Sequence, residues 1–248
     1  MATKSPRRKP RRPGRPRADV ADLRARMLDA AVACFAERGI AATTLRAIAT
    51  AAGVTPALLH YYFQSTDKLV QVMLDERVAP FVAVSVAPLL KPLPSPRATL
   101  RKFLETHMRN LAANPWMPRL MVREVLSEGG SLRTHMQAQF GAVLSPKTFM
   151  LIVAAQQRGE IRSDLNPHLI GLSLISLAVF PFAAAPVWQG VAKSYVQGAP
   201  QLEMHVEHLQ RLAKNLPAMQ KPGVEAIIEH TLALFDSALE KPHAKSKH

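Results

Sequence analysis

Ten residues between positions 43 and 62 have the types and spacing to hold a nucleic acid. Thr43 and Thr44 stand where a helix begins, so their hydroxyls and free backbone N–H groups could meet a phosphate. Arg46, just inside that helix, could reach a phosphate or the O6/N7 edge of guanine. Thr55, Pro56, Ala57 and Leu58 open a second helix, and the apolar pair Ala57 and Leu58 suits thymine methyl groups. His60, Tyr61 and Tyr62 can bond phosphates, which positions a helix without reading sequence. Tyr62 also fits a core role beside Phe63, because its spacing suits both faces. This chemistry is noncovalent. The chain has no Gly-rich phosphate loop, no G-x-S-x-G and no H-E-x-x-H, so no enzyme signature and no cofactor is expected.

Two short helices must place these groups. Leu45, Ile48, Ala49 and Ala52 recur at the spacing of one helix face, with Thr44 as N-cap and Gly53 freeing the backbone for a tight turn. Thr55 caps the next helix, and Pro56 fits its first position. Leu59, Tyr62 and Phe63 point one way, leaving Ala57, Leu58, His60 and Tyr61 mostly free. The pattern is a helix-turn-helix whose second helix enters a major groove.

The stretch from Thr43 to Lys68 resembles the TetR family of bacterial transcriptional regulators. The matching residues are Thr43, Thr44, Ile48, Ala49, Ala52, Gly53, Val54 and Thr55, then Leu59, Tyr61, Tyr62 and Phe63. The resemblance covers residues 22 to 75. It departs where the family's usual glycine is Ala57, its first tyrosine is His60 and its phosphate-binding lysine is Thr66, which leaves Lys68 as the substitute. The resemblance implies an all-α protein with a three-helix N-terminal domain and a larger helical domain for dimerisation and ligand binding. It further implies a homodimeric, ligand-responsive repressor on a palindromic double-stranded DNA operator, answering to an unknown small-molecule effector.

Charge placement agrees with a nucleic-acid partner. Net charge is +14, and residues 1 to 18 hold eight Lys or Arg and no acid. Rich in Pro and Arg, that arm cannot bury a core. Arg12, Arg15 and Arg17 sit in an RPGRPR run similar to an AT-hook, which could enter an A·T minor groove; a solvated tail attracting phosphates is the other reading. Asp19 to Arg38 should form a helix burying Leu28, Ala31, Val32 and Phe35, closed by Gly39. The expected divisions are the arm at 1–18, a DNA-binding domain at 19–68, a helical domain at 69–241 and a basic tail at 242–248.

Beyond the connecting helix, which should end near Pro88 to Pro96, helices are expected at 97–113, 118–128, 132–158, 201–215 and 222–240. From Leu165 through Ala192 there is no Asp, Glu, Lys or Arg, which is long enough to span a bilayer. Pro181, Pro186 and the amphipathic flanks favour instead a helix covered by its own domain and by a second subunit, with no membrane partner. Residues 167–190 and 222–240 are therefore the expected dimer helices. Met108, Trp116, Met117, Met121, Phe140, Phe149 and Phe180 could line an effector cavity, with Arg123 and Glu124 as its polar groups, or could be ordinary core. His205 and His208, with Glu203 or Glu207, could be a metal pair but read better as surface residues, so no metal is expected. Cys34 alone makes no disulfide, and the N-terminus has no apolar leader; a cytoplasmic protein is expected. The alternative is a non-specific or membrane-tethered nucleic-acid binder.

Overall fold

The computed structural model describes residues 17–141, 146–187 and 223–239. Helix α1 (Arg17–Arg38) buries Met27, Leu28, Ala31, Val32 and Phe35, and Gly39 ends it at φ +89°. Helix α2 (Leu45–Ala52) is capped by Thr44, whose hydroxyl accepts from Ala47 N–H, and Gly53 closes it at φ 66°. Helix α3 (Pro56–Phe63) starts on the Thr55 cap with Pro56 at its first turn. Ser65 caps α4 (Thr66–Met73) through Lys68 N–H. These three caps each satisfy an N–H group that an isolated helix would leave unpaired. Ile48, Ala49, Leu59, Phe63 and Leu69 close the small core over α1.

Helix α4 does not stop at the small unit. It runs through a π turn (Leu74–Val78) into α5 (Ala79–Leu90), so one rod joins the two parts of the molecule. Two ion pairs brace the π turn against α1: Glu76 accepts from both terminal nitrogens of Arg24 at 2.7 Å, and Arg77 donates to Asp29 at 2.8 Å. The rod ends at Leu90, just before Pro92, Pro94 and Pro96, as the proline spacing predicts.

Helix α6 (Pro96–Ala113) is the axis of the larger domain, contacting α5 and the later helices at Pro146–Gln157, Pro167–Ala183 and Val224–Leu239. It buries Leu100, Leu104, Met108 and Leu111 along one stripe and Phe103 and His107 along another. Helix α7 (Trp116–Met121) continues into a second π turn (Val122–Leu126) and packs on α1. Of the segment expected as one helix from 132 to 158, the described parts are α8 (Arg133–Gly141) and α9 (Pro146–Gln157), and residues 142–145 lie outside the described residues. Helix α10 (Pro167–Ala183) begins on the Asn166 cap, and α11 (Val224–Leu239) lies antiparallel to α6. Arg97 and Arg101 hold Asp236 at one end of that pair, and Arg109 holds Glu225 at the other. Among the described residues no helix is long and apolar enough to cross a membrane. The expected helix 201–215 and the tail 242–248 lie outside the described residues.

Candidate nucleic-acid interface

The helix-turn-helix divides its residues between two faces. Ile48, Ala49 and Ala52 of α2 and Leu59 and Phe63 of α3 point inward, and that burial fixes the angle between the helices. Thr44, Arg46, Thr55, Pro56, Ala57, His60, Tyr61 and Lys68 are all exposed, so the face carries cations, hydroxyls and aromatic edges together. Tyr61 is 77% exposed and meets Tyr62 edge-on, with ring centroids 5.4 Å apart. An aromatic ring that exposed contributes little to folding and is available to a partner. Leu58 is half-buried.

Tyr62 packs as the core reading of its spacing expects. Its ring is half-buried against the core and tilted on Phe63 at 6.4 Å. Lys68 donates to the Gln64 side chain at 2.7 Å, which keeps its ammonium beside the turn between α3 and α4. Gln64 itself takes φ 61°, a left-handed position uncommon for a side chain other than Gly or Asn. Arg24 stacks over Phe63 at 5.5 Å while holding Glu76, so α1 clamps the base of the recognition helix.

Thr43 is corrected. It is 5% exposed, and its hydroxyl donates to Gly39 O at 2.6 Å, with Cys34 O at 3.4 Å. The carbonyls at the end of α1 need a donor, and Thr43 supplies it, so no phosphate reaches that hydroxyl. The next residue, Thr44, is the exposed one. Arg12 and Arg15 lie outside the described residues, and Arg17 opens α1.

The residues expected around an effector separate into three places. Met108, Met117 and Met121 are buried together with half-buried Trp116, whose ring meets Phe81 at 6.1 Å. Phe149 lies elsewhere, stacked on His168 at 4.3 Å. Phe180 is 69% exposed and Arg123 is exposed, so neither lines an interior cavity. Helix α10 is apolar all round, and periodicity could not tell its outer face from its inner one. Glu124 is buried but already engaged: its carboxylate accepts from Ile40 N–H at 2.8 Å and from Ser131 N–H at 3.1 Å. The Phe140 side chain lies outside the described residues, as do His205 and His208. Two cavities, of about 250 and 220 Å³, are lined by none of these expected residues.

An interior polar group was missed by the sequence reading. His107 is 1% exposed, stacked on Phe103 with ring centroids 5.8 Å apart; its Nδ1 lies 3.0 Å from Ser85 Oγ, and its Nε2 has no partner among the described residues. Asn110 donates to the same Ser85 oxygen at 2.9 Å. Burial pushes the His107 pKa down to about 4, so the ring is neutral near pH 7. A histidine at helical spacing among apolar residues carries no signal that would separate it from core.

Comparison with known proteins agrees with this geometry. Residues 27–73 match the model for bacterial regulatory proteins of the tetR family, and residues 96–212 match that for the tetracyclin repressor-like C-terminal domain. The chain is 27% identical over 150 residues to the HTH-type transcriptional repressor KstR2 of Rhodococcus jostii, covering 59% of this chain and 71% of that one. It is 39% identical over 61 residues to the regulator TtgR of Pseudomonas putida, covering 25% and 29%. Among solved structures, the Thermus thermophilus regulator PfmR superposes with a TM-score of 0.58 at 19% identity, over 88% of this chain and 98% of that one. Bacillus subtilis FadR, solved with stearoyl-CoA, does so at 0.56 and 18%, over 88% and 100%.

Proposed function

The chain belongs to the TetR family of bacterial transcriptional regulators, and on that premise we propose that it is a homodimeric repressor. Its paired α3 helices enter successive major grooves of a palindromic operator. The observation that carries this reading is the single exposed face on which Thr44, Arg46, Thr55, Ala57, His60, Tyr61 and Lys68 stand over a capped, buried base. Arg46 reads guanine or fixes a phosphate, and Tyr61 and Lys68 fix phosphates. The basic arm adds counterion release, and Arg12 and Arg15 supply its minor-groove reach.

The second subunit covers α10 and α11. Leu169, Leu172 and Phe180 are each more than half exposed along α10, as is Val187 just beyond it, and a groove of about 220 Å³ runs between α10 and α11. An apolar surface that continuous is characteristic of a subunit interface. Leu174 and Ile228, by contrast, are buried within the subunit and support the fold. The effector is a small, mainly apolar molecule received among Met108, Met117, Met121, Phe81 and Trp116, where methionine side chains can repack around a guest. Binding there shifts the population only by preferring the spacing of recognition helices that does not fit DNA.

Selection of duplexes from a random library by the full-length protein tests the whole reading. The expected product is an inverted repeat, bound by one dimer, whose affinity falls steeply with salt. Removing residues 1–16 should flatten the log-log salt slope by about 0.9 for each phosphate that the arm neutralises. Recovery of no preferred sequence, or a monomer by light scattering at micromolar concentration, would overturn it.

A further inference from the structure

The Glu124 carboxylate ties the corner between α1 and α2 to the turn that follows α7. One oxygen accepts from Ile40 N–H at 2.8 Å, and the other from Ser131 N–H at 3.1 Å. Leu132 N–H closes the same turn on the Glu124 carbonyl at 3.1 Å. The fit leaves no slack on either side. A Cβ added at Gly39 would lie 3.0 Å from Glu124 Oε1, and one at Gly130 would lie 2.3 Å from the Glu124 carbonyl oxygen. The ion pairs between α1 and the rod, Arg24 to Glu76 and Arg77 to Asp29, involve partly exposed side chains and are screened by salt. The Glu124 tie is of another kind, because Glu124 is 5% exposed and a buried charged acceptor is costly to leave unpaired.

We propose that Glu124 is a positioning residue for DNA binding, coupling the start of α2 to the turn after α7. This rests on the reading of the chain as a DNA-binding regulator. Helix α7 is anchored in the larger core by Met117, Leu120 and Met121, so a displacement of α7 draws Ile40 with it. Thr44 and Arg46 follow Ile40 within six residues. The larger domain therefore reaches the recognition face by a second route, independent of the rod through α4 and α5. Coupling between sites is reciprocal, so holding α2 and α3 on DNA must also steady the turn at Ser131.

Amide hydrogen exchange on the full-length protein measures this, alone and with a duplex that the protein itself has selected from a random library. In the parent, the duplex is expected to slow exchange at residues 40–62 and, about tenfold, at Ser131 and Leu132. In Glu124→Ala the duplex should still slow residues 55–62 but lose its effect at Leu132, whose N–H bonds the Glu124 backbone carbonyl that the substitution leaves in place. Glu124→Gln, which keeps the packing but has one acceptor oxygen in place of two, should show the same loss and serves if the alanine variant fails to fold. Protection at Leu132 that is absent in the parent, or unchanged by both substitutions, overturns the coupling. Absence of protection at residues 55–62 in the parent would instead overturn the DNA-binding reading.

Discussion

The DNA-facing unit and the larger domain are fastened by bonds of opposite reach. In the first, the caps Thr44 to Ala47, Thr55 to Leu58 and Ser65 to Lys68 each span three positions. In the second, Arg109 holds Glu225 across 116 positions and Arg97 holds Asp236 across 139. A capped helix forms its bonds from neighbours already in place, whereas α11 must first be brought to α6. The small unit is thus a self-specifying motif, while the larger domain depends on contacts that form only once the chain has closed.

The sharpest way to break this contrast is at the outer face of α10. Leu172→Arg changes a residue that is 61% exposed in one subunit, so it should leave the subunit folded. If a second copy covers it, symmetry places two unpaired charges in one interface. The dimer dissociation constant should then rise roughly a thousandfold, about 4 kcal/mol, and operator affinity should fall with it. Sedimentation alongside thermal melting separates the two effects; an intact dimer with lost thermal stability would place Leu172 in the fold instead.

Acid should discriminate next. His107 has a folded pKa lowered to about 4 by burial, against about 6.5 when unfolded, so the unfolded chain binds more protons between those values. Its contribution is fully present above about pH 6.5, declines as pH falls toward about 4, and is level below; the total is about 3 kcal/mol. Urea midpoints for the parent should drop across that window. Those for His107→Leu should drop less. Equal slopes would show that other groups control the acid sensitivity.

Two smaller tests address the DNA-facing unit. Thr55→Ala should cost about 1 kcal/mol of stability, because one N–H at the start of α3 loses its acceptor. Denaturant unfolding of the two proteins would measure it. Tyr61→Phe should leave the melting temperature unchanged and remove up to about 1 kcal/mol of affinity per half-site, without altering base preference. A stability change at Tyr61 would erase the distinction between its face and the buried one.

The same difference of reach decided what could be read from the sequence. Gly39, Thr44, Gly53, Thr55, Pro56 and the stripe through Ile48, Leu59 and Phe63 lie close enough together to be recognised as one pattern, and the helices stand where that pattern puts them. Thr43 misled because two adjacent threonines cannot both cap one helix; only geometry shows which hydroxyl turns back to Gly39. Glu124 resembled a ligand group because its partners are backbone N–H groups, and Ile40 is 84 positions away. Phe180 and Met108 have the same apolar character, yet one lies outside and the other in the core.

The π turn at Leu74–Val78 bears on how this chain should be aligned with its relatives. A π turn closes its hydrogen bond over one residue more than an α turn, and each residue turns an α-helix by about 100°. Downstream of the turn, Phe81, Val82 and Ser85 face the interior. A relative whose connecting helix is regular throughout needs one residue fewer between α4 and α5 to present the same face. An ungapped alignment across 74–78 would pair the inward residues of one protein with the sideways residues of the other. Where the small unit aligns well and the larger domain does not, a single-residue gap belongs at this point before any difference downstream is read as a change of specificity.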